Sequence, residues 1–205
     1  MYLNILTKEQ KELLPLITEF RKEYYLVGGT AIALQIGHRK SIDFDLFKKS
    51  SIKKTQIKRK IADAKLHIDK ILFEDKDQLH LIINGIKLTF FQYPFEIPHL
   101  LAWDKIITMP TLLDLAAMKA YALGRRAKWK DYVDLYFLLT KYCSYQSIVD
   151  RTKEIFEGDF NEKLFREQLS YFEDVSYEEE VDYCVDAIAD EVIKTALINI
   201  STNVF

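Results

Sequence analysis

The sequence predicts an α+β fold: a mixed sheet with flanking helices over residues 1–109, followed by a C-terminal helical bundle over residues 110–205. Three observations carry this. Between residues 24 and 93, short apolar runs alternate or cluster and end at Gly, Asn-Gly or Pro, as strands do. Asn84-Gly85 separates two such runs, and both residues tolerate the positive φ of a tight hairpin. After Pro110-Thr111 the apolar residues recur almost everywhere at three- and four-residue steps, which is helical periodicity. A chain of 205 residues is long enough for one compact unit or two small subdomains.

Taken in order, residues 7–23 read as a helix, with Leu13, Leu14, Ile17 and Phe20 on one stripe. Residues 24–27 form a short apolar strand that ends at Gly28-Gly29. Residues 30–35 make a brief helix stopped by Gly37. In residues 42–47, Ile42, Phe44 and Leu46 alternate onto one face, which leaves Asp43 and Asp45 together on the other. Ser51 is placed to cap a basic helix running to about residue 64. Strands are expected at 67–73, 78–83 and 86–93, with Pro94 and Pro98 ending the pairing, and a short one at 106–109. Thr111 and Asp114 have capping-box spacing, and helices should cover 112–123, 130–142, 147–156, 162–172 and 178–198. In the last of these Val181, Cys184, Val185, Ile188, Val192 and Ala196 form the apolar stripe.

Composition excludes several classes. A hydrophobic fraction of 49% and a charged fraction of 29% fit an ordinary soluble globular protein. The formal net charge of −2 exerts no overall pull on nucleic acid, so such a contact would need a local patch. Cys143 and Cys184 lie far apart without metal-ligand spacing, as expected of inert thiols in a reducing compartment. No secretory leader is apparent and no apolar run is long enough to span a bilayer. A cytoplasmic location, with no membrane partner, is the expectation.

The chemistry concentrates in residues 28–45. Gly28 and Gly29, at a strand-to-helix turn, would let the backbone approach a phosphate and direct unpaired N–H groups at it. Asp43 and Asp45, with Cα atoms about 7 Å apart on one strand face, form a hard-oxygen pair suited to Mg²⁺. Each motif alone has a plain alternative: a solvated strand face for the acids, an ordinary turn for the glycines. Their joint occurrence, one helix and one turn apart, points to a phosphate cradle beside a metal site. Arg39, between them, either pairs with a phosphate or locks an aspartate in place. Ser41 either bonds the turn or contacts phosphate, whereas His38 reads as a structural residue.

A second cluster comprises Lys119, which interrupts an apolar helix face, and Asp131 and Asp134, three apart on the next helix. Two readings stand side by side and can hold together: a Lys119–Asp134 ion pair joining two helices, and a triphosphate-binding lysine. The run Lys48, Lys49, Lys53, Lys54, Lys58, Arg59 and Lys60 contains no acid. It could meet an RNA backbone, but Ile57 and Ile61 favour an amphipathic helix with a solvated basic face.

Gly28-Gly29-Thr30, followed by His38-Arg39-Lys40-Ser41-Ile42-Asp43-Phe44-Asp45-Leu46, resembles the first motif of the AbiEii/AbiGii-type nucleotidyltransferase toxins. These belong to the polymerase-β-like nucleotidyltransferase superfamily. Lys119, Arg126 and Lys130-Asp131-Tyr132-Val133-Asp134-Leu135 resemble that family's late helical motif. The resemblance implies a nucleotidyltransferase-like fold and Mg²⁺-dependent transfer of a nucleotidyl group from an NTP to a hydroxyl acceptor, RNA such as tRNA among the candidates. It also implies a toxin role in a toxin–antitoxin or phage-defence pair, with an antitoxin protein as partner. In that picture Asp43 and Asp45 hold metal and are catalytic; Gly28, Gly29, Thr30, Arg39, Ser41 and Lys119 bind nucleotide, and Asp131 or Asp134 positions the nucleotide or the lysine. One departure stands out: where the family usually carries a third acid, this chain has Thr89. Glu74, Asp75 and Glu96 are the acids that would have to substitute. The alternative is a catalytically impaired nucleotide- or partner-binding module of the same fold.

Overall fold

The computed structural model describes residues 1–123 and 125–203, and they divide into two compact units, Met1–Thr111 and Leu112–Phe205. In the first unit, helix α1 (Lys8–Thr18) starts with a capping box. Thr7 Oγ1 accepts from the Gln10 amide at 3.2 Å and the Gln10 side chain accepts from the Thr7 amide at 3.1 Å. The helix ends earlier than its apolar period suggests, and residues 19–23 continue as turns that still bury Phe20. Strand β1 (Tyr25–Val27) leads into α2 (Gly28–Ile36), which Gly37 closes in the left-handed region at φ 67°.

Strand β2 (Phe44–Lys48) and helix α3 (Lys54–Asp63) follow. The α3 N-cap is Lys53 rather than Ser51, so the basic helix begins later than expected. Strands β3 (Lys70–Glu74), β4 (Gln78–Ile83) and β5 (Ile86–Gln92) complete a five-stranded sheet of order β1-β2-β5-β4-β3. β2 and β5 run parallel and every other neighbour is antiparallel, so the sheet is mixed. Asn84 and Gly85, at φ 51° and 74°, make the β4–β5 turn, which only residues tolerant of positive φ form cheaply. A separate ribbon pairs β6 (Leu101–Trp103) with β7 (Ile107–Met109). The β6 strand is not visible in the sequence pattern, being three residues with two of them exposed.

The period-2 pattern sorts the sheet into two faces. Phe44, Leu46, Leu79, Leu81, Leu88 and Phe90 are fully buried on one. There the Phe90 ring meets Phe20 edge-on at 4.8 Å and Tyr24 at 5.5 Å. The opposite face bears Asp45, Phe47, Lys87, Thr89, Phe91 and His80. Ile42 lies ahead of the strand and is exposed, contrary to its expected place on the apolar face.

The second unit is helical: α4 (Leu112–Leu123), α5 (Trp129–Lys141), α6 (Tyr145–Phe156), α7 (Glu162–Leu169) and α8 (Asp190–Thr202). α4 packs on α5, α6 and α7, while α8 packs on α5 and α7. The helix expected over 178–198 is corrected to α8. Residues 173–189 are non-helical, and Val185 and Val192 from the expected stripe are exposed while Ile193 and Leu197 are buried. The cause is tertiary. The Ser176 amide donates to the Ala127 carbonyl at 2.9 Å, the Trp129 amide donates to the Ser176 carbonyl at 3.0 Å, and Glu179 bridges Lys128 and Lys130. These contacts hold residues 176–179 against the start of α5.

Candidate active site

The turn from β1 into α2 brings the glycine pair against the acid strand. In β1, Val27 pairs with Asp45, so Gly28, the next residue, meets the Asp45 side chain directly. Gly28 has φ +72°, and a Cβ there would collide with Asp45 Oδ2. At Gly29 a Cβ would lie 2.5 Å from Arg39 Nη2 and 2.9 Å from Ser41 Oγ. Gly28 is required by its positive φ as well as by Asp45, whereas at Gly29 the crowding atoms are side-chain ends of Arg39 and Ser41. The first N–H groups of α2 have no acceptor within the helix, which leaves the start of a helix next to a carboxylate, a guanidinium and a hydroxyl.

Thr30 holds the two motifs in register. Its buried hydroxyl reaches the Ser41 carbonyl at 3.1 Å and makes a short hydrogen bond to the Asp43 carbonyl. Gln10 Nε2 donates to the Ser41 carbonyl at 2.9 Å, and Arg39 Nη1 donates to the Lys40 carbonyl at 2.9 Å. Arg39 is buried, so its guanidinium organises the turn from within. Gln10 was not recognisable as a site-supporting residue, since its contact lies thirty-one residues along the chain.

On the sheet, Asp45 lies directly opposite Thr89 across the parallel β2–β5 pair, and Thr89 lies opposite His80 across β5–β4. Thr89 is thus the residue of β5 that lies beside Asp45. Glu74, Asp75 and Glu96 do not compensate. Glu74 pairs with Lys54 and Lys58, Asp75 accepts from the Asp77 and Gln78 amides in a turn, and Glu96 pairs with Lys49 at 2.7 Å. Lys87, which the sequence did not flag, lies 3.7 Å from Asp43 Oδ2. Its signal was its place two residues before Thr89, the spacing that puts both side chains on one strand face. The His80 pKa is lowered, chiefly by burial and then by Lys87, against the opposing pull of Asp45 and Asp75.

Among the described residues no three His, Cys, Asp or Glu side chains gather as a metal-binding group. The pair Asp43 and Asp45 nevertheless fits Mg²⁺, which is commonly held by one or two carboxylates with substrate phosphates and water supplying the rest.

In the second unit Lys119 of α4 is buried between the two α5 aspartates. It makes a short bond to Asp131 Oδ1 and lies 2.8 Å from Asp134 Oδ2, while Arg126 Nε lies 2.9 Å from Asp131 Oδ2. The expected Lys119–Asp134 ion pair is present, extended by Asp131 and Arg126. Burial raises the Asp131 pKa, but the charges of Lys119 and Arg126 outweigh it and hold the carboxyl below its ordinary range. The basic run is likewise ion-paired: Lys48 and Lys60 with Glu23, Lys54 and Lys58 with Glu74, Lys49 with Glu96. Cys143 and Cys184 are half-buried.

A five-stranded mixed sheet with a Gly-Gly turn against an Asp-x-Asp strand defines a nucleotidyltransferase-like fold, and comparison with known proteins agrees. Residues 16–193 match the family model described as nucleotidyl transferase AbiEii toxin, type IV TA system, and the chain belongs to that family, within the polymerase-β-like nucleotidyltransferase superfamily. It is 32% identical over 189 residues to an uncharacterized protein of Aquifex aeolicus (strain VF5), covering 84% of this chain and 86% of that one. Among solved structures it is similar in fold to MenT4, a nucleotidyltransferase toxin from Mycobacterium tuberculosis H37Rv. The TM-score is 0.63 at 13% identity, over 96% of this chain and 82% of that one. A putative nucleotidyltransferase from H. pylori gives a TM-score of 0.56 at 17% identity, over 98% and 93% of the two chains. No helix among the described residues is long and apolar enough to cross a membrane.

Proposed function

We propose that this family member transfers a nucleotidyl group from an NTP to a hydroxyl acceptor, as the toxin of a toxin–antitoxin or phage-defence pair. The observation that carries this is the packing of Gly28 against Asp45, and of Gly29 against Arg39 and Ser41. Backbone amides, a guanidinium, a hydroxyl and a carboxylate meet there within one small region. Amides at the start of α2, with Arg39 and Ser41, would hold the phosphates. Asp43 and Asp45 would hold Mg²⁺, which when bound neutralises phosphate charge and orients the phosphoryl group. The acceptor oxygen bonds to the α-phosphorus, the bond from that phosphorus to the bridging oxygen breaks, pyrophosphate leaves with the electron pair, and the hydroxyl proton passes to solvent. Acceleration would come from positioning and charge stabilisation.

Lys119, with Asp131 and Asp134, is a further candidate nucleotide contact, belonging to the helical unit. RNA, tRNA first, is the acceptor to test. Purified protein, each labelled NTP in turn, Mg²⁺ and total tRNA should give labelled RNA. The double variant Asp43→Ala, Asp45→Ala should lower incorporation by about 10³-fold or more, on the scale of lost transition-state charge stabilisation. Its far-ultraviolet circular dichroism should be unchanged. Full incorporation by that variant would refute the assignment. The placement of Thr89 opposite Asp45 favours one second reading, an impaired nucleotide- or partner-binding module. Calorimetric NTP–Mg²⁺ binding without incorporation into any RNA or protein would select it.

A further inference from the structure

The register lines up one row of side chains across the face that bears Asp45. Asp45 lies beside Thr89, Thr89 beside His80, and His80 beside Phe73 at the sheet edge. Neighbouring strands are about 4.8 Å apart, so the row runs roughly 14 Å from the carboxylate strand to the edge. Thr89 is enclosed, His80 is half-buried and Phe73 is 47% exposed, so the row opens towards the edge. The Phe73 and His80 rings meet edge-on at 5.6 Å, and His80 Nε2 lies 3.0 Å from Gln78 Oε1. Burial and then Lys87 lower the His80 pKa, so this ring is uncharged at neutral pH.

The rows on either side extend the surface. On one, exposed Lys70 lies beside Ile82 and Ile82 beside Lys87, whose ammonium is 3.7 Å from Asp43. On the other, Gln78 lies beside Phe91 and Phe91 beside Phe47, two half-buried rings that meet edge-on at 5.1 Å. Asp75, at the β3–β4 turn, is taken up by the amides of Asp77 and Gln78. Exposed rings flanked by lysines suit a chain of bases on a phosphate backbone, because every base offers a flat face to stack. Ile71 and Leu72 are also exposed, and β3 is an edge strand, which a strand of another protein could extend. The register shift between Ile71 and Phe73 weighs against that, since a bulge interrupts the ladder an added strand needs.

Resting on the nucleotidyltransferase reading, we propose that the single-stranded end of the RNA acceptor lies along this row. One base stacks on Phe73 at the sheet edge, a phosphate lies near Lys70, and the terminal hydroxyl reaches Asp45. His80 is a positioning residue that backs the Phe73 ring.

The test reads RNA binding first, without NTP. A single-stranded RNA oligonucleotide with a fluorophore at its 5′ end is titrated with the full chain and polarisation is recorded. Phe73→Ala should weaken binding about tenfold, the scale of one lost stacked base, and Phe73→Trp should retain it. Trp103 and Trp129 are buried, so RNA should quench the indole emission that Phe73→Trp adds. Lys70→Gln should lower the slope of log affinity against log salt by about 0.7, as for one phosphate contact on a single strand. In labelled-NTP transfer, Phe73→Ala should raise the KM for RNA and leave the KM for NTP unchanged. An unaltered protein that binds no RNA would overturn the proposal. So would a Phe73→Ala variant with unchanged RNA affinity, which would leave the edge to a protein partner, or one in which only the KM for NTP moves. RNA binding with all these responses but no transfer by the unaltered protein would refute the nucleotidyltransferase reading and leave the RNA surface in place.

Discussion

The chain contains two close pairs of aspartates, and their fates differ. Asp45 sits on a face of β2 and Asp43, expected in the same strand, lies just ahead of it; both are partly exposed, with Lys87 near Asp43 and a glycine turn against Asp45. Asp131 and Asp134 sit on a helix face, buried, with Lys119 between them and Arg126 alongside. The first pair stays partly exposed, beside Lys87 and the glycine turn. The helical pair is enclosed with its counter-charges, so removing either aspartate leaves the buried Lys119 with one carboxylate in place of two. Spacing singled out both pairs, and they differ in burial and in the counter-charges around them.

The largest effect expected on stability follows from that contrast. Asp134 is fully buried, and Asp134→Ala strips Lys119 of one of its two carboxylates. It should cost about 3–5 kcal/mol, the usual penalty for breaking a buried pair from one side. Urea denaturation followed by tryptophan fluorescence would measure it. A loss below 1 kcal/mol would place the helical cluster in the same class as the strand pair.

Gly28→Ala attacks the other region. A methyl group must displace the Asp45 carboxylate and occupy φ +72°, for which the backbone term is about 1–2 kcal/mol. Transfer should fall by more than that destabilisation explains, because the displaced group is the proposed cation ligand. Equal losses in stability and turnover would mean that Asp45 is merely packing.

Acid sharpens the comparison further. Asp131 binds its proton at lower pH folded than unfolded. The stability it contributes is complete above the unfolded carboxylate range, about pH 4. It is lost as pH falls through the lower folded value. Between pH 5 and 2, as rough bounds from that range, melting temperature should drop more steeply in the unaltered protein than in Asp131→Asn. An identical slope in both would show that this carboxylate is not linked to folding.

The smallest effect is expected where both partners are exposed. Lys49→Ala removes a 2.7 Å pair with Glu96 in which both side chains face water. Solvent screening should hold the change within about 0.5 kcal/mol by denaturant melts. A larger loss would give that surface pair a weight comparable with the buried ones.

Much of this was legible before any coordinates, where the signal was local. The hairpin at Asn84-Gly85 and the strand Gln78–Ile83 match the pattern, because turn chemistry and period-2 alternation are written in adjacent residues. The same holds for α4, whose bounds coincide with its apolar period. Signals fading over distance misled. The acid-rich stretch after residue 173 has helical periodicity yet is drawn out by Lys128, Lys130 and two backbone bonds. The basic run with no acid of its own is paired with Glu23, Glu74 and Glu96, none of which lies within the run.

By itself, the sequence determined which residues to examine: two glycines at a strand-to-helix turn, two carboxylates separated by one residue, and, through the family resemblance, Thr89 in place of an acid. Only the tertiary structure decided which charges face one another, since a pairing between strands or helices is set by register and packing rather than by neighbours in the chain. That is why Lys87 became visible as the partner of Asp43, and why Lys119, similar in sequence to a ligand-binding lysine, is held inside a buried network.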